Sequence, residues 1–357
     1  MEACLKIGEW REKIDRIDAQ ILRQISRRAA LVKKIGKEKL AGAKGVFVPS
    51  REKQIYAHLR KHNPGPLTNT AIKGIFREII SCCRAIEGTI SVAYLGPEGT
   101  FTHVAAYDIF GHDAKYVPAR DIRSVFADVE TGRTYCGVVP IENSSEGAVQ
   151  ETLDAFITSE LRVVSEEVLP IHLTLIGKGR LSSVRRVASK PIALAQCRSW
   201  LAEHLPDAEL VETTSTANAA QEAARRKDTA IVAHETAARI YDLKVLHAHI
   251  EDSEHNVTRF LVVGHDRHRP SGNDKTSLLC SVKHRAGSLV ELLGVFQKHK
   301  LNMTYLYPRP SRDKPWEYFF FVDITGHADE PHVRDALAEA EEHCSFFKVL
   351  GSYPRAD

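Results

Sequence analysis

The sequence has few of the features that mark nucleic-acid-binding, membrane or secreted proteins. Its 49 Lys and Arg residues nearly balance 46 Asp and Glu residues, so composition gives no sign of nucleic-acid binding. No apolar run approaches the roughly 20 residues that a membrane-spanning helix needs, and residues 1–13 lack the continuous apolar core of a secretory signal. The seven cysteines are odd in number and show no paired spacing, which argues against a disulfide framework or a zinc site. These deficits predict a cytoplasmic protein.

The length and composition are those of an ordinary globular chain. With 357 residues, 43% hydrophobic and 27% charged, the chain is too long for one core and should fold into two or three domains.

The first 40 residues carry the heptad pattern of a long helix. Ile14, Ile21 and Ile35 fall on one seven-residue repeat, and flanking apolar residues widen the stripe. A helix from about residue 8 to residue 40 would be ~50 Å long at 1.5 Å per residue, more than a compact domain of this size can cover. We therefore expect a homodimer or a higher homo-oligomer.

Charged residues interrupt this stripe. Arg28 lies between Ile21 and Ile35 on the repeat, and Arg11 and Lys39 interrupt a second one. One interpretation is that polar residues fix the helix register. The other is that Arg28 and Lys39, ~16 Å apart along the helix, bind one small dianion, which Arg11, another ~25 Å away, can reach only from an antiparallel second chain.

Four segments of this region resemble the all-helical chorismate mutases: Trp10–Ile14, Gly36–Leu40, Pro49–Glu52 and Phe76–Ile80. The resemblance implies a site shared by two subunits, made of Arg11, Arg28, Lys39, Arg51, Glu52 and Glu87. In that site the four cations hold the two carboxylates of chorismate, Glu52 binds its hydroxyl group and Glu87 faces the ether oxygen. The rearrangement needs no nucleophile, because a locked reactive conformer and donors at the developing negative charge are enough.

Residues 89–268 alternate strand-like runs with helical periods, which predicts an α/β region. One apolar run ends at Ile141 and leads through the polar loop 142–147 to a predicted helix. Such a loop presents donors that suit an anionic ligand, although ordinary helix capping explains the same residue types. A second loop of this kind, residues 96–102, follows the first strand.

Four motifs in this region resemble the prephenate dehydratase domain: Pro140–Val149, Ala195–Cys197, Thr213–Ala217 and Asn256–Phe260. The resemblance implies a two-lobed fold like that of periplasmic binding proteins, with prephenate in the cleft. The implied catalytic residues are Asn143, Gln196, Thr258 and Arg259, and the implied substrate contacts are Thr100, Thr102, Ser144, Ser145 and Phe260.

The dehydratase reaction expels CO2 and hydroxide, so the leaving hydroxyl group needs a proton donor. Thr258 is the candidate, with Arg259 lowering the local potential while Asn143 and Gln196 hold carboxylate or keto oxygens. Taken alone, Thr258 to Phe260 also fits a strand that begins with one buried aromatic residue.

The C-terminal region follows a polar linker, residues 265–275, and its pattern predicts βαββαβ. Its motifs Gly287-Ser288-Leu289-Val290 and Arg309-Pro310 resemble the effector motifs of the ACT domain in phenylalanine-regulated dehydratases. The usual Glu-Ser before the second motif is replaced here by Tyr307-Pro308. We therefore expect L-phenylalanine to bind, but more weakly than is usual for that family.

The whole chain is thus predicted to be multidomain: an all-α three-helix domain (1–88), an α/β two-lobed domain (89–268) and an α+β ferredoxin-like ACT domain (274–357). We expect it to turn chorismate into prephenate and then phenylpyruvate, without metal or organic cofactor. Two alternatives stay open: an amino-acid-sensing protein with decayed catalytic sites, and a dehydratase whose helices serve only for dimerisation.

Overall fold

The structure, a computed structural model, describes residues 2–41, 45–213, 215–253, 255–311 and 317–356, with side chains of residues 2–5 and 39–41 outside the description. It divides into two compact units. Residues 1–48, 55–90 and 110–115 form the first unit, and residues 49–54, 91–109 and 116–357 form the second.

Three helices come first in the chain: α1 (Glu2–Ala41), α2 (Pro49–Lys61) and α3 (Asn69–Glu87). Within the first unit α1 packs against α3, and α3 begins at a capping Thr68 whose hydroxyl accepts the N–H of Ala71, as helix N-termini require. The long helix expected from the heptads is present. Its apolar stripe stays open to solvent in this chain, with Ile21 50% exposed and Ile14 54% exposed.

The second unit contains three sheets. The strands of its first half are β1 (Ser91–Leu95), β2 (Lys115–Ala119), β3 (Cys136–Asn143), β4 (Gly147–Ala148), β5 (Arg162–Pro170), β6 (Thr174–Gly177), β7 (Arg186–Ser189), β8 (Glu209–Glu212), β9 (Thr229–Ala233), β10 (Lys244–His247) and β11 (Val257–Gly264). The strands of its C-terminal part are β12 (Asp274–Val282), β13 (Met303–Pro310), β14 (Tyr318–Thr325) and β15 (Cys344–Pro354).

The remaining α-helices follow in the chain after α3. They are α4 (Phe101–Phe110), α5 (Ile122–Glu130), α6 (Gln150–Thr158), α7 (Pro191–Ala195), α8 (Arg198–His204), α9 (Thr216–Arg225), α10 (Thr236–Ile240), α11 (Ser288–Lys298) and α12 (Pro331–Glu342).

The strand orders define two lobes and a third domain. The first sheet has the order β2-β1-β3-β11-β5 with β4 paired to β3, the second β10-β6-β9-β7-β8, and the third β13-β14-β12-β15. The chain leaves the first sheet after β5, builds the second sheet and returns as β11. Residues 171–173 and 248–256 are therefore the two crossovers between the lobes, the second including residue 254, which lies outside the described residues.

The third sheet is buried on both faces. Leu278 and Val322 pack with α11 and α12 on one face, whereas Leu279, Phe321 and Tyr353 join the core of the first lobe on the other. Strand alternation explains this division, because successive side chains point to opposite faces.

The loop 142–147 differs from its prediction. It forms the turn of a small hairpin, because β4 pairs with the end of β3, and α6 starts only at Gln150 without a side-chain cap. Its polar residues therefore do not cap a helix.

Candidate active sites

A cleft lies between the two lobes of the second unit. Leu173, Val232 and Phe260 give it an apolar floor. Its polar lining comes from both lobes: Thr100, Thr102, Asn143, Glu146 and Thr258 from the first, and Ser189, Lys190, Gln196, Thr216 and His234 from the second. Concave sites of this composition, apolar with a few convergent polar groups, are typical of small-molecule binding.

Thr258 is held by Asn143 on the neighbouring strand. The two residues are paired across β11 and β3, so their side chains share a face, and Asn143 Nδ2 donates to Thr258 Oγ1 at 2.7 Å. The same amide donates to Asn256 Oδ1 at 3.0 Å, while Asn143 Oδ1 accepts the N–H of Ser145 at 2.8 Å. Asn143 is thus fully engaged. Because Thr258 accepts this bond, its own hydroxyl hydrogen is left for another partner.

Gln196 and Glu146 meet across the cleft. Gln196, at the end of α7, donates from Nε2 to Glu146 Oε1 at 3.4 Å. Partial burial raises the pKa of Glu146, an effect that the positive charge of Lys190 opposes. Burial likewise lowers the pKa of Lys190, against the effect of Glu146. Both shifts favour neutral forms, which is a common property of acid–base groups in active sites.

The helical unit holds part of the expected mutase site. The Nη1 atom of Arg28 is buried and has no hydrogen-bond partner among the described residues. Glu87 lies against Gly36, where an added Cβ would come within 2.9 Å of Glu87 Cγ. Arg11 is exposed on α1, and the side chain of Lys39 lies outside the described residues. Arg51 and Glu52, in the first turn of α2, belong to the second unit.

The C-terminal domain has a pocket at the start of α11. Gly287, whose φ of 86° suits glycine, precedes this helix and lines the pocket together with Ser288, Leu289 and Val290. Lys283, Arg285 and Glu317 supply charged groups around it.

Three known domain families match successive parts of the chain: Chorismate mutase type II over residues 10–88, Prephenate dehydratase over residues 92–268 and ACT domain over residues 276–342. The Bifunctional chorismate mutase/prephenate dehydratase of Aquifex aeolicus is 45% identical over 356 residues, which cover 98% of each chain. That of Pseudomonas aeruginosa is 41% identical over 97% of each chain.

The chain belongs to the bifunctional chorismate mutase/prephenate dehydratase family.

A solved relative agrees with this membership. The prephenate dehydratase of Arthrobacter aurescens, crystallised in complex with L-Phe, is 34% identical with a TM-score of 0.69, covering 74% of this chain and 90% of that one. The predicted fold class, with a helical domain, a two-lobed α/β domain and an ACT domain, is confirmed. Among the helices that the structure describes, none combines the length and apolar character needed to cross a bilayer.

The position of the Arg259 side chain differs from the prediction. The sequence placed it beside Thr258 at the cleft, but the structure puts its guanidinium on the opposite face of β11, because neighbouring residues of a strand alternate. Arg259 Nε donates to Glu166 Oε2 at 2.7 Å, and Nη2 lies 2.7 Å from Asp323 Oδ2 of the ACT sheet. Lys275 joins this buried cluster, 2.9 Å from Glu166. Arg259 therefore connects the dehydratase lobe to the ACT domain.

The two loop serines also lie elsewhere than expected. Ser144 Oγ donates to the carbonyl of His255 at 3.1 Å and accepts the N–H of Val257 at 3.0 Å. Neither Ser144 nor Ser145 is among the residues that line the cleft. Ser144 fixes the loop to the start of β11.

Arg309 and Pro310 do not line the pocket formed by Gly287 to Val290. Arg309 instead forms a two-pronged ion pair with Asp154 on α6, at 2.9 and 3.0 Å, and Pro310 is paired with Tyr318 between β13 and β14. The second predicted effector motif thus contacts the dehydratase lobe.

Sequence reasoning missed Glu146, Lys190 and His234 as cleft residues. Glu146 stood inside the loop that was singled out, so its acidic character was an available signal. Lys190 and His234 follow strands of the second sheet, and nothing near them in the sequence indicated that they face the first lobe.

Proposed function

We propose that this chain catalyses two consecutive reactions, chorismate to prephenate in the helical unit and prephenate to phenylpyruvate in the cleft, with L-phenylalanine as the effector of its ACT domain. The proposed domains are residues 1–88, 89–268 and 274–357, and the proposed location is the cytoplasm. The observation that supports the second reaction best is the Asn143–Thr258 pair in a cleft lined by both lobes.

In the dehydratase reaction the bond between the ring and the carboxylate carbon breaks, and its electrons enter the ring as CO2 leaves. The ring C–O bond breaks at the other end of the conjugated system, and the departing oxygen takes a proton to leave as water. Thr258, which accepts a hydrogen bond from Asn143, is our candidate to donate a hydrogen bond to that oxygen. Glu146 is our candidate for the proton source, since its raised pKa keeps a larger protonated fraction.

In the mutase reaction the substrate is a dianion that must be held in its reactive conformer. Arg28 supplies a buried guanidinium nitrogen that has no partner among the described residues, which suits a carboxylate ligand. Glu87, near Gly36 in the same unit, is the proposed donor to the ether oxygen. Arg11 is proposed to come from the second subunit, and the exposed stripe of α1 is the surface on which that subunit would pack.

Separate variants test the division of labour. Thr258→Ala should lower phenylpyruvate formation by about 100-fold or more, a typical loss for a group acting on a developing charge, and leave chorismate consumption near wild type. Thr258→Ser, which keeps the hydroxyl group, is the matched control and should retain much of the activity. Arg28→Ala should instead lower chorismate consumption and leave the conversion of prephenate to phenylpyruvate near wild type.

Absorbance assays measure the two rates separately, as chorismate loss with chorismate as substrate and as phenylpyruvate appearance with prephenate as substrate, so that a slow first reaction does not lower the second rate. If Thr258→Ala and Arg28→Ala each depressed both rates in folded protein, the two-site assignment would be wrong. If wild type consumed no chorismate but converted prephenate, the helices would serve only for dimerisation.

A further inference from the structure

Three metal-ligand side chains converge on the crossovers between the two lobes. His172 lies in the first crossover, and His249 and Glu251 lie in the second. His172 Nδ1 is 2.8 Å from Glu251 Oε1 and 3.1 Å from His249 Nδ1, and His249 Nδ1 is 3.5 Å from Glu251 Oε1. The three atoms that could bind a metal ion thus form a small triangle.

Hydrogen bonds can link only some of the pairs in this triangle. Each ring nitrogen either carries a hydrogen or presents a lone pair, and a carboxylate oxygen accepts only, unless it is protonated. With three mutually close atoms and two kinds of group, one pair must always be alike. Two atoms of the same kind are then neighbours at 2.8 to 3.5 Å with no hydrogen bond between them.

A bound cation would satisfy all three atoms at once. A triangle with these edges has a circumradius of about 1.8 Å, which is shorter than the Zn–N distance of about 2.0–2.1 Å and the Zn–O distance of about 2.0–2.2 Å. A point about 1 Å out of the plane therefore lies at ligand distance from every donor. Both imidazoles are exposed, so solvent can supply the fourth ligand of a tetrahedral site.

The carboxylate is held in place for this role. The side chain of Glu251 is only 6% exposed, and its second oxygen, Oε2, accepts the N–H of Leu173 at 2.8 Å. The ordinary partners of a ligating carboxylate are of this kind, and they orient the ligand. His249 reaches the triangle from a left-handed backbone conformation with φ of 55°, which non-glycine residues seldom adopt.

We propose that His172, His249 and Glu251 bind a zinc ion that ties the two crossovers together. Two imidazoles with one carboxylate suit zinc and neighbouring transition metals rather than Mg²⁺ or Ca²⁺, which prefer all-oxygen ligand sets. Neither proposed reaction requires this ion, but a bound zinc would differ from the prediction, made from the sequence, of a chain without metal. The crossovers are already joined by the bond from Ile250 N–H to the carbonyl of Leu173 at 2.8 Å, and the ion adds a second link where the lobes would hinge.

Metal titration of the full chain, stripped with a chelator and dialysed, tests the site. Calorimetry with ZnCl₂ should show one ion per chain, and CoCl₂ should give the strong visible absorption of a tetrahedral complex. His249→Asn should weaken binding at least tenfold, since it removes an imidazole while Asn still tolerates the left-handed conformation. Glu251→Gln should do the same while keeping an acceptor for the Leu173 N–H.

His247→Asn is the matched control, because His247 is an exposed histidine only two residues before His249. It should bind zinc as wild type does. Zinc should also raise the melting temperature of wild type and of this control but not of His249→Asn. The proposal is overturned if wild type gives no tetrahedral cobalt spectrum, or if His249→Asn, folded by circular dichroism, binds zinc as tightly as wild type.

Discussion

The dehydratase cleft and the helical unit bury their apolar residues in different ways. Around the cleft, Val139, Leu153 and Leu261 are almost inaccessible to solvent, and β3 and β11 bring Asn143 and Thr258 into contact. In the helical unit, Ile21 and Ile14 on α1 are about half exposed. A single chain therefore completes the scaffold of one site and leaves the other with an open apolar surface.

The difference shows what determines how many chains a site needs. Motifs identify the residues that touch a ligand, but the burial of apolar surface decides whether one chain can hold those residues in place. A 40-residue helix with an apolar stripe is stabilised by what covers the stripe. We accordingly propose that the mutase site needs two chains and the dehydratase site one.

A charge introduced on the apolar stripe of α1 should have the largest effect, on chain association and on mutase activity. Ile21→Asp would bury a carboxylate at a chain–chain contact, at a cost of at least ~2 kcal/mol, and twofold symmetry would place it there twice. Association should weaken by about 1000-fold, and mutase activity should fall with it. Sedimentation of the variant together with chorismate consumption measures both, while dehydratase activity should persist.

Ala30→Asp is the control for that variant. Ala30 is also exposed and lies about half a turn around α1 from Ile21, at 100° per residue, so its charge should leave the oligomer intact. If the Ile21→Asp protein were dimeric and fully active, the proposal that a second chain packs on this stripe to complete the mutase site would be wrong.

Disrupting the buried ion cluster around Arg259, in the unit that contains the cleft, should have the next largest effect, a loss of stability. Arg259→Gln leaves Glu166 and Asp323 with Lys275 as their shared cation, and removing one partner from a buried ion pair typically costs about 3 to 5 kcal/mol. Denaturant unfolding should show the loss. Arg226→Gln, which breaks the exposed pair with Asp228, should leave stability nearly unchanged.

Because of the same cluster, the free energy of unfolding should depend on pH in the acid range. Burial raises the pKa of Glu166, but Arg259 and Lys275 outweigh burial, so its pKa is lowered overall. This contribution is fully present above the ordinary pKa of a glutamate and is lost as the pH falls through the lowered value. Arg259→Gln should reduce that acid-side dependence, because only Lys275 then remains to lower the pKa of Glu166. An unchanged acid limb in this variant would mean that the cluster contributes little.

Arg259 also shows where sequence reasoning reached its limit. The helices and the βαββαβ order followed from local periodicity, whereas the cleft position of Thr258, Phe260 and Gln196 was implied by the resemblance to the prephenate dehydratase domain. Strand alternation alone would have turned Arg259 away from Thr258. Its partners Glu166 and Asp323 are distant in sequence, however, so tertiary packing alone brings these residues together, and the ion pair between Arg309 and Asp154 was hidden for the same reason.

A pH profile can sharpen the claim that the cleft is chemically complete in one chain. If Glu146 delivers the proton to the leaving hydroxyl group, the dehydratase rate should fall as the pH rises through its raised pKa, because the acid form disappears. Glu146→Gln cannot deliver a proton and should be slower by about 100-fold, without this alkaline limb. Glu151→Gln, on the neighbouring α6, is the control. A Glu146→Gln enzyme with the wild-type rate and profile would assign the proton to another group.

The smallest expected effect concerns the effector pocket. The question there is whether one chain completes the pocket, as in the dehydratase cleft, or two chains share it, as proposed for the mutase site. The sequence suggested that losing the usual Glu-Ser at Tyr307-Pro308 deprives the effector's ammonium group of an acceptor. Glu317, however, lines the pocket with Gly287 to Val290, while Tyr307 packs against the core of the first lobe. If one chain completes the pocket, Glu317→Gln should weaken L-phenylalanine binding by about tenfold, the lower range for a charge-assisted hydrogen bond, and Tyr307→Phe should leave it unchanged. Calorimetry on both variants decides: weaker binding by Tyr307→Phe alone would mean that the tyrosine reaches the effector from a second chain, as Arg11 is proposed to do in the mutase site.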